Sequence, residues 1–135
     1  MVDFVNQVFI SLDEGKAVSI QGDSGVGKSE NIKLLKCLLE QEGKRTVYVD
    51  MRNFKSHSQF YSEVSKQLGL NGDRKKILSE LDKGDVSLLL DEYWAGAGIA
   101  NQLVQYAHRS NNDVVTIAGN PLGVELDEYL LKKRR

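Results

Sequence analysis

The chain has 135 residues, which is enough for one domain with a hydrophobic core and too few for two. Its 41% hydrophobic and 27% charged residues are an ordinary globular balance, which argues against disordered and fibrous classes. No apolar run approaches the roughly 20 residues of a membrane-spanning helix, and the N-terminal sequence lacks the pattern of a secretory signal. The single cysteine, Cys37, excludes an internal disulfide. We therefore expect a cytoplasmic protein with no membrane partner.

The charges are nearly balanced, with 18 basic and 19 acidic residues and a net charge of -1. The last four residues, 132–135, are all basic, so the rest of the chain is mildly acidic. This distribution is not the footprint of a dedicated nucleic-acid-binding domain. The basic tail has two interpretations: a solvated helix end, where cations are favourable, or a contact with nucleic acid.

The first half of the chain alternates between helical and strand patterns. Apolar residues at helical spacing predict an amphipathic helix over residues 2–14, and a short apolar run predicts a buried strand over 17–21. A glycine-rich loop is predicted over residues 22–27, followed by a helix over 28–42 and a strand over 46–50. This order of elements is typical of an α/β fold.

The second half continues the alternation. A capping-box pattern, Ser56 with Gln59, predicts the start of a third helix, and Asp73 is expected to cap a shorter fourth one. The remaining predicted elements are a strand over 86–90, a helix around 99–107, a strand over 114–118 and a last helix over 122–131. Strands that alternate with helices predict right-handed crossovers and a parallel sheet with helices on both faces.

A phosphate-binding motif lies between the first predicted strand and the helix that follows it. Residues 22–29 fit G-x-x-x-x-G-K-[ST] at every fixed position. In such a loop, glycines let successive backbone N–H groups point at phosphate oxygens, and the helix adds the positive end of its dipole. Lys28 can reach the β- and γ-phosphates, and the Ser29 hydroxyl can ligate Mg²⁺. The predicted nucleotide-binding residues are Gly22, Asp23, Ser24, Gly25, Val26, Gly27, Lys28 and Ser29.

Two adjacent carboxylates, Asp91 and Glu92, follow the buried strand predicted at 86–90. We expect Asp91 to hold Mg²⁺, together with Ser29, and Glu92 to orient and deprotonate an attacking water. A third polar residue, Asn120, follows the strand predicted at 114–118. It is a candidate for contacting the γ-phosphate or the water, although Gly119-Asn120-Pro121 is also simple turn chemistry.

Together, these three features resemble the AAA+ superfamily and related P-loop ATPases with an additional catalytic glutamate. The resemblance covers about residues 17–121. It implies residues 22–29 as Walker A, Asp91 and Glu92 as Walker B, and Asn120 as sensor 1. It also implies a three-layer P-loop NTPase core in which the strands lie in the order 1-4-3-2. The lack of an N-K-x-D guanine signature favours ATP as the nucleotide, bound with Mg²⁺.

The sequence also departs from this family pattern. Members usually have a fifth strand beside the P-loop strand, an arginine finger and a helical lid, and nothing after Asn120 is predicted to be a strand. We therefore expect one domain, with an N-terminal helix (1–16), a nucleotide-binding core (17–121) and a C-terminal helix with a basic tail (122–135). The chain would be a fragment or a minimal relative. The exposed edge of the P-loop strand would be covered by the N-terminal helix, a second copy or another protein.

The resulting hypothesis is a Mg-dependent ATPase of low intrinsic activity, within a DNA-transaction or signalling assembly, with DNA as a candidate partner. Two alternatives remain open. Asp50 and Arg52 follow the second predicted strand, where small P-loop kinases grip a phosphoryl acceptor, so Asp50 is a candidate base for phosphorylation of a nucleoside or metabolite. The other alternative is a nucleotide-dependent switch that hardly turns over.

Overall fold

The computed structural model describes residues 2–22, 28–71 and 73–131. The central part of the predicted phosphate loop, residues 23–27, lies outside this set, as does the basic tail, 132–135. The described helices are α1 (Val2–Asp13), α2 (Lys28–Gln41), α3 (His57–Gln67), α4 (Arg74–Leu81) and α5 (Ala97–Arg109). The described strands are β1 (Ala17–Gly22), β2 (Arg45–Asp50), β3 (Val86–Asp91), β4 (Asp113–Ile117) and β5 (Leu126–Leu131).

All five strands pair in parallel in one sheet, in the order β2-β3-β4-β1-β5. The register places Tyr48 beside Leu89, Leu89 beside Val115, and Val115 beside Val18. The predicted order 1-4-3-2 is therefore confirmed for the first four strands. All the strands run the same way, so their carboxyl ends meet at one edge, which we call the carboxyl edge.

The prediction of a helix over 122–131, and of a missing fifth strand, was wrong. Residues 126–131 form β5, which pairs with β1 over six residues from Ala17–Leu126 to Gly22–Leu131. The segment LDEYLL has no β-branched residue, and its leucines and glutamate favour helix in isolation. Pairing with the open side of β1 overrides that preference. The P-loop strand is thus internal, and no second copy or other protein is needed to cover it.

Helices cover both faces of the sheet and form two apolar cores. On one face, α1 and α2 pack on alternate residues of the central strands, including Val18, Ile20 and Leu89. On the other face, α3, α4 and α5 pack on the intervening residues, including Leu88 and Leu90. This alternation is the expected consequence of strand geometry, and it defines an α2 face and an α5 face.

Two predicted helix starts are confirmed by their caps. Ser56 Oγ accepts a hydrogen bond from the Gln59 amide at the start of α3, and Asp73 caps α4 through the Lys75 amide. In the part of the chain that the structure describes, no helix has the length and apolar character needed to cross a membrane. The cytoplasmic location stays a prediction.

Candidate nucleotide-binding site

The phosphate motif spans the connection from β1 to α2. β1 ends at Gly22 and α2 begins at Lys28, so the motif has the strand–loop–helix setting that its chemistry requires. A helix N-terminus presents unpaired backbone N–H groups and a positive dipole end, both of which favour phosphate. The side chains of Lys28 and Ser29 lie outside the described part, so their predicted roles stay predictions.

Asp91 lies at the end of β3, on the sheet face that α2 covers. Leu89, two residues earlier, packs in the α1–α2 core, whereas Leu88 and Leu90 pack in the core on the α5 face. Because side chains alternate along a strand, the Asp91 carboxylate lies on the same face as Leu89. The sheet thus directs this carboxylate toward the side of the helix that begins with Lys28 and Ser29.

Both oxygens of the Asp91 carboxylate accept a hydrogen bond from a neutral donor. Oδ1 accepts from the Glu92 amide at 2.8 Å, and Oδ2 accepts from the Tyr48 hydroxyl at 2.5 Å. No arginine, lysine or histidine that the structure describes pairs with Asp91 within 4.0 Å. The carboxylate is therefore oriented, while its charge has no close cationic partner among the described side chains.

Glu92, the residue after β3, has a left-handed backbone conformation, with φ 49° and ψ 49°. Non-glycine residues adopt this conformation rarely, because Cβ crowds the backbone, and such residues concentrate at functional sites. The Glu92 carboxylate accepts a hydrogen bond from Trp94 Nε1 at 2.5 Å. The indole is 66% exposed, so the contact lies at the surface and can open.

An arginine–carboxylate pair lies beside this acidic pair, at the end of β2. Arg52 donates to both oxygens of Asp50, from Nε at 3.1 Å and from Nη2 at 2.7 Å, and its amide also donates to Oδ1. These hydrogen bonds hold the pKa of Asp50 below its usual value, and they raise that of Arg52. The nearby charges of Glu92 and Asp91 raise the pKa of Arg52 further. The two pairs, Asp50–Arg52 and Asp91–Glu92, lie side by side because β2 and β3 are neighbours in the sheet.

The loops at the carboxyl edge are packed against one another. A Cβ atom at Gly96 would lie 2.6 Å from Cε and 3.2 Å from Cβ of the buried Met51, so a larger residue here would have to displace that side chain in the loop after β2. A Cβ atom at Gly119 would lie 2.9 Å from the Trp94 amide nitrogen, so the loop after β4 is held equally close. This packing fixes the backbone from which Asp91 and Glu92 project.

Asn120 is held by side-chain contacts with β1 and β5. Its Oδ1 accepts from Ser19 Oγ and from Gln21 Nε2, the latter at 3.0 Å, and its Nδ2 donates to Glu128. Ser19 and Gln21 alternate with Val18 and Ile20, so they lie on the α5 face, opposite to Asp91. The structure thus places Asn120 over β1 and β5, and its sensor 1 role stays a prediction.

The donor set at this edge fits Mg²⁺ that arrives with a nucleotide. Magnesium prefers hard oxygen ligands and usually keeps several waters, with one or two carboxylates and the substrate phosphates completing its shell. Asp91 offers such an oxygen, and across residues 2–22, 28–71 and 73–131 no three His, Cys, Asp or Glu side chains cluster as a separate metal site. Asp91, with the predicted ligand Ser29, would hold the ion, which would neutralise phosphate charge.

Sequence reasoning missed Tyr48 as part of this site. Its hydroxyl reaches Asp91 because of the strand register. Tyr48 pairs with Leu89, and each of these residues lies two positions before the end of its strand, on the same face. The available signal was a tyrosine two residues before the end of a strand predicted to neighbour the Walker B strand. That signal needs the strand order as well as the motif.

A parallel sheet of this order, in which β1 leads into G-x-x-x-x-G-K-S and β3 ends in Asp-Glu, defines a P-loop NTPase. The family of AAA domains matches residues 12–117, and the chain belongs to this family. A comparison with curated proteins finds no significant match.

Three solved structures share the fold. Cdc6p from Pyrobaculum aerophilum superposes with a TM-score of 0.67 at 15% identity, over 87% of this chain and 38% of that one. Drosophila ORC bound to poly(dA/dT) DNA and Cdc6 gives 0.67 at 10% identity, over 98% and 29%. Pif1 helicase from Candida albicans gives 0.54 at 12% identity, over 97% and 39%. The chain thus spans between 29% and 39% of the length of these three chains, and identities this low show the fold alone.

Proposed function

We propose that this chain binds Mg-ATP and hydrolyses it slowly, as the nucleotide-binding module of an AAA-type assembly. In this proposal the backbone of residues 22–27 and Lys28 bind the phosphates, Ser29 and Asp91 hold Mg²⁺, and Glu92 activates the attacking water. The observation that carries the proposal is the position of Asp91. Its carboxylate lies on the α2 face, at the edge where α2 begins with Lys28.

Slow turnover is proposed because no arginine finger can be assigned among the residues that the structure describes. Such a finger contributes on the order of 10³–10⁵ in rate. At the carboxyl edge, Arg52 is already paired with Asp50, and elsewhere Arg45 pairs with Asp85 and Glu80. We therefore propose that a neighbouring copy or another protein supplies the missing cation. Without it, we expect turnover well below roughly 1 s⁻¹.

The kinase alternative is less well supported by the contacts of Asp50. A general base must offer a free lone pair and a pKa near the working pH. Both Asp50 oxygens accept hydrogen bonds from Arg52, which lower its pKa and weaken it as a base. Glu92, which is half-buried and bound by one neutral donor, is the better candidate.

The switch alternative has one observation in its favour. The Glu92 carboxylate is already bound to Trp94, so the described conformation leaves one catalytic oxygen occupied. A nucleotide that opened this contact would couple binding to a change in the loop after β3. Measured turnover separates the switch from the proposed ATPase, since a switch needs nucleotide binding and hardly any hydrolysis.

A role in DNA transactions is the proposed setting. It rests on the fold shared with Drosophila ORC, whose solved structure includes DNA and Cdc6, and with the Pif1 helicase. Added DNA or a partner protein should then raise the turnover per chain. No rise with any DNA form would favour the signalling setting instead.

Two substitutions in the site test the proposal. Lys28→Ala should weaken Mg-ATP binding about tenfold or more, because a charge-assisted contact to phosphate is worth roughly 1.5–3 kcal/mol. Glu92→Gln should keep binding and lower hydrolysis about 100-fold, since an amide cannot accept the proton from water. Binding is measured by calorimetry and turnover by phosphate release.

Lys33→Ala, on the exposed side of α2, is the matched control for the lysine. It should leave both binding and turnover at the wild-type level. Equal ATP affinity in wild type and Lys28→Ala would refute the assignment of the phosphate loop. Wild-type turnover in Glu92→Gln would refute its role as base and return attention to Asp50.

A further inference from the structure

The Tyr48 hydroxyl and the Asp91 carboxylate meet across two neighbouring strands. Val47 and Val49 are buried in the core on the α5 face, whereas Tyr48 packs with the α1–α2 core. Tyr48 and Asp91 therefore share the α2 face, and the phenol reaches from the end of β2 to the end of β3. The donor–acceptor distance is 2.5 Å.

This contact completes the orientation of the carboxylate. The Glu92 amide holds Oδ1 and Tyr48 holds Oδ2, so rotation about the Asp91 side chain would break one hydrogen bond or both. Each carboxylate oxygen can accept more than one hydrogen bond or metal bond, so both can still bind an ion. Two neutral donors thus fix the group without neutralising its charge.

The phenol of Tyr48 stays a donor over the working range of pH. Burial raises its pKa, and the hydrogen bond to Asp91 together with the negative charge of that group raises it further. The charge of Asp50 acts in the same direction, and the nearby Arg52 opposes the shift only weakly. Orientation of Asp91 needs only the observed geometry, in which the Tyr48 hydroxyl donates to Asp91 Oδ2.

We propose that Tyr48 is a positioning residue for the magnesium site: it orients Asp91 for Mg²⁺ without touching the nucleotide. The proposal rests on the proposed function, in which Asp91 holds the ion. Groups that orient a metal-binding side chain typically change metal affinity by 10–100-fold when they are removed. The chain offers a matched pair elsewhere, since Tyr106 donates to Asp82 at 2.7 Å between α5 and α4.

The test is the Mg²⁺ dependence of nucleotide binding. A fluorescent ATP analogue is bound to wild type, Tyr48→Phe and Tyr106→Phe while Mg²⁺ is titrated. Tyr48→Phe should need about tenfold more Mg²⁺ for half-maximal binding, with unchanged affinity for the analogue in the presence of a chelator. Tyr106→Phe removes the same kind of bond away from the site and should behave as wild type.

A double substitution separates positioning from a general structural role. In an Asp91→Asn background, Tyr48→Phe should change the Mg²⁺ requirement less than twofold, because the ligand that it orients is already lost. An equal effect in both backgrounds would overturn the proposal. So would an unchanged Mg²⁺ requirement in Tyr48→Phe, provided that wild type itself binds in a Mg²⁺-dependent way. If wild type does not bind Mg-ATP, the proposed function fails and this inference fails with it.

A second measurement keeps the hydroxyl in place in case Tyr48→Phe does not fold. With 3-fluorotyrosine at position 48, the ¹⁹F signal should shift when Mg²⁺ is added to the ATP complex, since the metal draws charge from Asp91. ATP with a chelator should not produce that shift. A signal that is the same with and without Mg²⁺ would also overturn the proposal.

Discussion

The two ends of the parallel sheet use their polar side chains in opposite ways. At the amino end, Asn112 is 5% exposed and its side chain accepts from the Val86 amide and donates to the carbonyls of Leu81 and Ala107. Its neighbour Asp113 accepts from the Ser87 hydroxyl. These groups tie β3, β4, α4 and α5 together.

At the carboxyl edge, hydrogen bonds orient the acidic side chains without neutralising their charge. Asp91 and Glu92 are half-buried, and the side-chain donors that bind them are the neutral groups of Tyr48 and Trp94. Glu92 also adopts a strained backbone conformation. The polar groups at the amino end therefore stabilise the fold, whereas those of the carboxyl edge stay charged and strained, as the proposed nucleotide site would require.

The largest expected difference between the two ends is in the stability effect of substituting one asparagine at each. Asn112→Ala should lower the free energy of unfolding by about 1–3 kcal/mol, because it leaves the buried Val86 amide without its acceptor. The carbonyls of Leu81 and Ala107 lose one donor but keep backbone donors. Asn120→Ala, at the exposed carboxyl side, should cost less than about 1 kcal/mol. Urea denaturation measures both. Equal losses would mean that the two ends do not differ in this way.

Relief of the backbone strain at Glu92 should change stability less than the loss of Asn112, and in the stabilising direction. Glu92→Gly should raise the free energy of unfolding by about 0.5–1 kcal/mol, because glycine accepts a positive φ without strain but is more flexible when unfolded. Asn111, at the amino end, has φ 64°, yet asparagine tolerates this region. Asn111→Gly should therefore change stability little. Thermal or urea unfolding checks the pair, and a loss of stability in Glu92→Gly would contradict strain at the site.

Much of the fold could be predicted from local patterns. The continuous apolar run before Asp91 predicts a strand covered on both faces, and the caps at Ser56 and Asp73 predict helix starts, because these signals lie within a few residues. β5 could not be predicted in the same way. Its residues favour helix, and Tyr129 is fixed by partners distant in sequence, among them the backbone of β1, Ser11 on α1 and the ring edge of Phe4.

In the candidate site, too, residues in contiguous motifs could be predicted, whereas contacts between distant segments could not. Asp91 and Glu92 are recognisable because their motif is contiguous in sequence and follows a buried strand. The contact of Tyr48 depends on the register between two strands, and that of Trp94 depends on a turn that no short pattern specifies. Asn120 matched a strand-end pattern, yet the neighbours of its side chain come from β1 and β5.

The smallest expected effect concerns acid stability at the amino end. Asp85 accepts hydrogen bonds from Arg45, which lower its pKa from the ordinary value of about 4. A carboxyl group whose pKa is lower in the folded state stabilises the protein above its unfolded pKa, and that contribution is lost as the pH falls through the folded value. Asp85→Asn should therefore cost only about 0.3–0.5 kcal/mol at pH 7, because the pair is partly exposed and screened.

Below about pH 4 the difference between Asp85→Asn and wild type should shrink, since protonation removes the same charge in the wild type. Urea titrations at pH 7 and pH 3, each at low and high salt, measure this, and salt should reduce the difference at pH 7. Asp50→Asn provides the comparison at the carboxyl edge, where Arg52 also lowers the pKa of its partner. Released from Asp50, Arg52 becomes available to nearby anions, so this variant alone should show altered Mg-ATP affinity. If Asp85→Asn altered the Mg-ATP affinity as well, the proposal that only the carboxyl edge of the sheet takes part in nucleotide binding would be wrong.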